Sequence, residues 1–356
     1  MGFSQHFKLL KKRHLGRKVK EAEPVTENVL VQCIKPKKEK LLVITDSGTR
    51  NHRAAAVMGA AYFNSACSMG IDAGFVSQEP KTSMDPADNE VKDAITGLGR
   101  GGIIILCLSN KLGTVDGLGK SFRGYSAEMG HRFISATSLG SIANGKISLL
   151  LSSMDIDYRN LRKDQAKAKM ILDSSKEIRV TTAAGTDITM KTKKNSAITN
   201  DGNYARPGTG GNIPAGEVYL PPLKGKSDGI IVVNGTSRNE FGTIVVKRPF
   251  RITVEKGKAV SIEGGKDAKM LEASLILAEE KAKHPENVRH LAELGIGFNP
   301  KAALAGSMII DEKAIGTCHF AIGSNYWFGG ENKTIVHFDQ VVKGPRINVD
   351  GKYMIG

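Results

Sequence analysis

Between residues 40 and 176 the chain alternates short unbroken apolar runs with longer segments of helical period. "KLLVITDSG" (40–48), "DAGFVSQ" (72–78) and "GIIILCLS" (102–109) read as buried parallel strands, each closed by turn residues. "RNHRAAAVMGAAYFNSACSMG" and "PADNEVKDAITGLGRG" read as the helices between them, and "GYSAEMGHRFISATSLGSIANG" and "YRNLRKDQAKAKMILDSS" as further helices. Alternating strands and helices predict an α/β layer with a mostly parallel sheet.

After residue 176 the pattern shortens to a period of two. "EIRVTTAAGTDITMKT", "GEVYLPP", "GIIVVNGTS", "FGTIVVKRPFRITVEKGKAVSIEGG" and "TIVHFDQVV" alternate apolar and polar positions between glycine-rich turns. A hairpin is expected around "EKGK", and one long helix, "DAKMLEASLILAEEKAK", interrupts the strands with Asp267 as its expected N-cap. The second half therefore predicts an antiparallel-rich α+β domain. The expected division is a basic extension over 1–22, an α/β domain covering the cleft over 23–176, and a catalytic domain over 177–356.

Two domains also suit a chain of 356 residues. No apolar run is long enough to span a membrane, and the basic N-terminus lacks the apolar stretch of a secretory signal, so a cytoplasmic location is expected. Cys33, Cys67, Cys107 and Cys318 show no paired spacing and read as buried free thiols. The net charge is +15, and residues 1–40 carry eleven Lys or Arg against four Glu. Such an arm suits nucleic acid or an anionic surface, but no aromatic–basic interleaving for stacking bases is present. The loop "YARPGTGGNIPAGE" (204–217) lacks the Gly-Lys-Ser/Thr ending of a phosphate loop.

Candidate chemistry concentrates in the second half. On a strand His337 and Asp339 share a face, because side chains alternate with period two. Glu217, Glu293 and His319 also sit beside glycine-rich turns. Two histidines and three carboxylates form a ligand set for Zn, Co or Mn, one or two donors too many for a single catalytic zinc. They fit two ions sharing a bridging carboxylate. Each residue also has an ordinary structural reading, as a surface carboxylate or a hydrogen-bonded core histidine. Lys313 reads as solvated, with reach into the site as its alternative, His52 and His131 as helix-surface or satisfied histidines, and Cys318 as core. Asn325, Gly329 and Gly330 read as shaping the loop after His319, with Trp327 lining the cleft or packing.

Four blocks, "GGNIPAGEVYLPP", "AELGIGFNP", "IGTCHFAIGSNYWFGGENK" and "TIVHFDQVVKGPRINVDGKYMIG", resemble in order the M29 family of metallo-aminopeptidases, the aminopeptidase T and aminopeptidase S group. The resemblance implies a two-metal site on Glu217, Glu293, His319, His337 and Asp339, and a catalytic tyrosine at Tyr326. It implies Glu293 or Glu217 as a proton shuttle, a homodimer, and a peptide substrate with a free N-terminus. A metal-dependent aminopeptidase is the expectation on these grounds. The same fold also resembles ring-opening dioxygenases for dihydroxypyridines, which use one Fe(II) on two histidines and a carboxylate, here His319 or a nearby histidine with His337 and Asp339. A third class, a basic binding module using the first domain and its arm, stands apart from both.

Overall fold

The structure, a computed structural model, describes residues 1–115 and 121–355. The chain folds as two compact units, Met1–Tyr158 with Gly202–Ala215, and Arg159–Asp201 with Gly216–Gly356. The sequence pattern divides the chain at 176/177 instead, because helix Tyr158–Ser174 continues the helical texture of the first half.

In the first unit, strands β1 (Leu41–Asp46), β2 (Ala73–Gln78), β3 (Ile103–Cys107), β4 (Arg132–Ala136) and a late strand, β8 (Gly210–Asn212), form one parallel sheet in the order β2-β1-β3-β4-β8. Two of these strands differ from the sequence pattern. "RFISA" was expected inside a helical stretch, yet it is β4, because a helix (Phe122–Met129) closes at Gly130 in the left-handed region and frees the chain to turn. The glycine loop 204–217 supplies the late strand.

Helix Ala54–Ser68 is buried along most of its length, so it carries almost no polar face. It lies against β1 closely enough that a Cβ at Gly59 would fall 2.5 Å from Thr45 Cβ. The basic N-terminal segment is folded onto this unit. Leu10, Leu15, Val19 and Ala22 are buried, and Phe3 packs on Phe63 and Phe75 at 4.5 and 5.3 Å. The lysines and arginines occupy the outer faces of two amphipathic helices, Phe3–Lys12 and Gly16–Val29. Cys33 and Cys107 are buried as expected, but Cys67 is exposed near the last turn of its helix.

The second unit holds two seven-stranded sheets. The first runs through β5 (Glu177–Thr181), β6 (Asp187–Thr192), β10 (Pro222–Val233), β13 (Phe250–Glu255), β14 (Lys258–Glu263), β18 (Arg346–Val349) and β19 (Lys352–Ile355), in the order β14-β13-β10-β6-β5-β18-β19. The β13–β14 pair is the hairpin read at "EKGK". The second contains β7 (Ile198–Asn200), β9 (Glu217–Leu220), β11 (Thr236–Asn239), β12 (Gly242–Val245), β15 (Leu291–Gly297), β16 (Thr317–Gly323) and β17 (His337–Lys343), in the order β12-β11-β17-β16-β15-β9-β7. The long helix spans Lys266–Lys281 and is entered through Gly265; Asp267 lies in its first turn and is not its cap. A carboxylate there still faces the positive end of the helix dipole.

One face of the second sheet makes the core. Cys318, Phe320 and Ile322 of β16, Leu294 and Ile296 of β15, Val218 and Leu220 of β9, and Phe338 and Val342 of β17 all enter a single apolar cluster. Alternation then obliges the intervening residues to face the other way, and these are the residues with chemistry. No helix among the described residues is long and apolar enough to cross a membrane.

Candidate metal centre

Register places the five expected side chains on one face of four adjacent strands. Asp339 of β17 pairs with Ala321 of β16, and Ala321 pairs in turn with Glu293 of β15. One step along, His319 lies between Val341 and Gly295. Glu217 of β9 pairs with Gly297 of β15, and His337 with Gly323 of β16. Directly paired residues share a face, so large polar groups alternate with Ala321, Gly295, Gly297 and Gly323. Those small residues leave the room that the functional groups fill. A Cβ at Gly295 would fall 2.1 Å from the His319 ring. Glu293 and His319 thus project from the middle of strands, not from strand ends beside turns, and a bulge between Leu291 and Glu293 adjusts the register of β15.

The polar atoms converge. His337 Nε2 lies 3.0 Å from Asp339 Oδ1 and 3.5 Å from Glu293 Oε2. His319 Nε2 lies 3.1 Å from Glu293 Oε1 and 3.6 Å from Glu217 Oε2. His337 Nδ1 donates to the Ser324 carbonyl at 2.8 Å, which turns Nε2 toward the carboxylates, where it can carry either a proton or a metal ion. Glu217, Glu293, His319 and Asp339 are buried, and His337 keeps a side-chain exposure of 20 %.

Charge in this space is unbalanced. Burial alone would lower both imidazoles, but Glu293, helped by Glu217 and Asp339, lifts His319 to about 9. Asp339 and Glu293 likewise lift His337 to about 10 against its burial. Burial would raise Asp339, and the His337 imidazolium outweighs it and holds that carboxyl well below the usual range. Protons on the histidines are offsetting a surplus of carboxylate, the same surplus that a divalent cation offsets. Among the described residues, three groups of ligand atoms lie within 4.8 Å of one another: Glu217–Glu293–His319, Glu293–His337–Asp339 and Glu312–His319–Asp339.

Sequence reasoning misjudged one neighbour. Lys313, expected in solvent, is wholly buried, with Nζ 2.7 Å from Glu217 Oε1 and in contact with Glu312 Oε1. Burial would lower its pKa, yet the two carboxylates raise it above the ordinary lysine value. Burial raises Glu217, with Lys313 opposing. The clue in the sequence was slight: "MIIDEKAIG" sets the lysine between Ile310 and Ala314.

Tyr326 does not join this cluster. It is 61 % exposed, with the Lys333 ammonium 5.3 Å from its ring centroid. Its neighbours Trp327 and Phe328 instead pack edge-on to the His337 ring, at 5.0 and 6.1 Å. Asn325 ties its loop to the sheet, donating to Ala292 O and accepting from Asn332 N. A Cβ at Gly330 would fall 2.1 Å from Asn325 Cγ, so that glycine shapes the same turn. His52 and His131 belong to the first unit.

Fold and site together define a two-unit protein whose antiparallel sheet carries a buried imidazole–carboxylate cluster able to bind a metal. Residues 22–356 match the family described as NicX, 2,5-dihydroxypyridine 5,6-dioxygenase, and the chain belongs to that family. The structure is similar to that of a 2,5-dihydroxypyridine dioxygenase from Pseudomonas putida KT2440, with a TM-score of 0.66, 17 % identity, and coverage of 100 % of this chain and 96 % of that one. It is also similar to AmpT from Thermus thermophilus, with a TM-score of 0.58, 13 % identity, and coverage of 96 % and 95 %. No curated protein sequence matches the chain.

The resemblance to aminopeptidases therefore holds for the fold, and the activity it implied is overturned. Family membership assigns an oxidoreductase family where the sequence reading expected a hydrolase acting on peptides. The error has a physical source, since glutamate, histidine and aspartate on one sheet face serve both chemistries. The oxyanion role expected of Tyr326 falls with the hydrolase.

Proposed function

We propose that the protein is a metal-dependent dioxygenase that opens the ring of a dihydroxylated pyridine, with 2,5-dihydroxypyridine as the first substrate to test. The observation that carries this reading is membership of the dioxygenase family over nearly the whole chain. The donor set departs from the expected two histidines and one carboxylate but can still hold an ion: His337 Nε2 and Asp339 Oδ1 sit side by side, and Glu293 faces both histidines. One imidazole and two carboxylates, with a second imidazole at hand, suit a borderline-hard divalent ion such as Fe(II).

Glu293, His337 and Asp339 would hold that ion. When bound, Fe(II) supplies the one-electron chemistry that lets ground-state O2 react with an electron-rich ring. The chain's own groups do the rest. His319, 3.1 Å from Glu293 and kept protonated by the carboxylates around it, is placed to give a proton to a substrate oxygen that gains charge as the ring opens. Trp327 and Phe328, edge-on to His337, offer an aromatic wall for a planar heterocycle. The apolar face behind the strands keeps the cluster rigid and shields it from water on that side.

The test is oxygen uptake. Protein loaded anaerobically with Fe(II) and mixed with oxygenated 2,5-dihydroxypyridine should consume one O2 per substrate. The product should gain both oxygen atoms, with the carbon–carbon bond between ring positions 5 and 6 cleaved. Iron-loaded protein that consumes no O2 with any dihydroxypyridine isomer would refute the reading.

A further inference from the structure

We propose that Lys313 is a built-in cation standing where a second metal ion would sit beside Glu217, so that the site takes a single divalent ion on Glu293, His337 and Asp339. The inference rests on the metal-dependent reading above, though not on the identity of the substrate.

The geometry separates the three possible ligand groups. Glu217–Glu293–His319 and Glu312–His319–Asp339 each contain a carboxylate that already binds the Lys313 ammonium. Only Glu293–His337–Asp339 owes nothing to Lys313. A divalent ion drawn to Glu217 would face a fixed positive charge on the same carboxylate, in a buried space where like charges repel far more strongly than in water.

The lysine has no path aside. Its side chain has no solvent exposure, and an ammonium is donor-only, so it needs acceptors wherever it lies buried. Its backbone is pinned as well, because Asn299 N donates to the Lys313 carbonyl at 2.8 Å. The next residue presses on β15 so closely that a Cβ at Gly297 would fall 2.0 Å from Ala314 O. Asn200 Nδ2, 3.4 Å from Glu217 Oε1, adds a further donor to the same carboxylate. Glu217 is therefore occupied by protein donors, His319 belongs only to groups that share a carboxylate with Lys313, and the expectation of five metal ligands reduces to three.

Metal stoichiometry decides the matter. Wild-type and Glu217→Gln proteins are dialysed against Mn2+ alone and assayed by elemental analysis, with affinity read by titration. The proposal expects one ion per chain in both, with the Glu217→Gln dissociation constant within about threefold of wild type. Two ions in the wild type, or binding weaker by about tenfold or more in Glu217→Gln, would overturn it. Lys313→Gln, checked for folding by circular dichroism, should release Glu217 and Glu312 and admit a second ion. A folded Lys313→Gln variant that still takes only one counts against the proposal, and if it does not fold, Glu217→Gln still decides. One Mn2+ per chain with no O2 uptake after iron loading sinks the dioxygenase reading and leaves the role of Lys313 standing.

Discussion

Asp46 and Asp339 are both buried aspartates on strands, one in each unit, and they are satisfied in opposite ways. Asp46, at the end of β1, accepts from Ser109 N and Ser109 Oγ at 2.6 Å each and from Gly48 N at 2.9 Å. All three donors are neutral, and burial still raises the Asp46 carboxyl above its ordinary value. Asp339 instead faces an imidazole at 3.0 Å and is held well below the usual range. Neutral donors fix a geometry, whereas groups that change charge make a site that can exchange a proton for a cation. The first carboxylate ties a loop to a sheet; the second belongs to chemistry.

The sharpest way to break this contrast is to exchange the carboxylates for amides. Asp339→Asn should weaken Mn2+ or Fe2+ binding by about 100-fold or more, since loss of an outer-shell partner alone costs 10–100-fold. Asp46→Asn should instead cost stability, about 2–3 kcal/mol because an amide NH2 must now meet Ser109 donors, with metal content unchanged. Equal metal loss in both variants, measured by elemental analysis, would erase the distinction.

Gly295→Ala tests the room left on the functional face. The added Cβ would overlap the His319 ring, so that imidazole must shift against Glu293. Overpacking of this kind costs about 1–3 kcal/mol, and the turnover rate should fall more than metal affinity, because His319 is assigned to give the substrate a proton. A variant with wild-type turnover of 2,5-dihydroxypyridine would show that His319 needs no fixed position.

Strand alternation made the cluster legible. "TCHFAIG" and "HFDQVVK" state which residues enter the core and which face away, and the pairing of β15, β16 and β17 follows that pattern. Lys313 was hidden because its burial depends on contacts nearly a hundred residues away in sequence, with Glu217. β4 was missed because "HRFISA" follows a helix directly and its strand pairs only with distant neighbours. The reaction itself was the least legible part. Residue types at a metal site restrict the metal more than the bond to be broken, and nothing in "HFAIGSNY" marks Tyr326 as exposed.

A buried histidine outside the cluster gives the smallest effect and the cleanest control. His290 lies just before β15, with Nδ1 donating to the Gly257 carbonyl at 3.2 Å. Burial, with Lys224 and Lys258 adding to it, lowers His290 to about 4, whereas the carboxylates lift His319 and His337. The folded state thus excludes a proton that the unfolded chain accepts below about pH 6.5. Stability from this group is complete above that pH and is lost as pH falls toward 4. Between pH 7 and pH 5 the loss is about 2 kcal/mol. His290→Gln keeps a donor for Gly257 and has nothing to titrate, so its denaturation midpoint should fall less steeply than wild type over that interval, with metal content unchanged. Parallel pH profiles for the two proteins would mean that the acid sensitivity arises elsewhere, and the contrast between histidines walled by lysines and histidines walled by carboxylates would then carry no weight for stability.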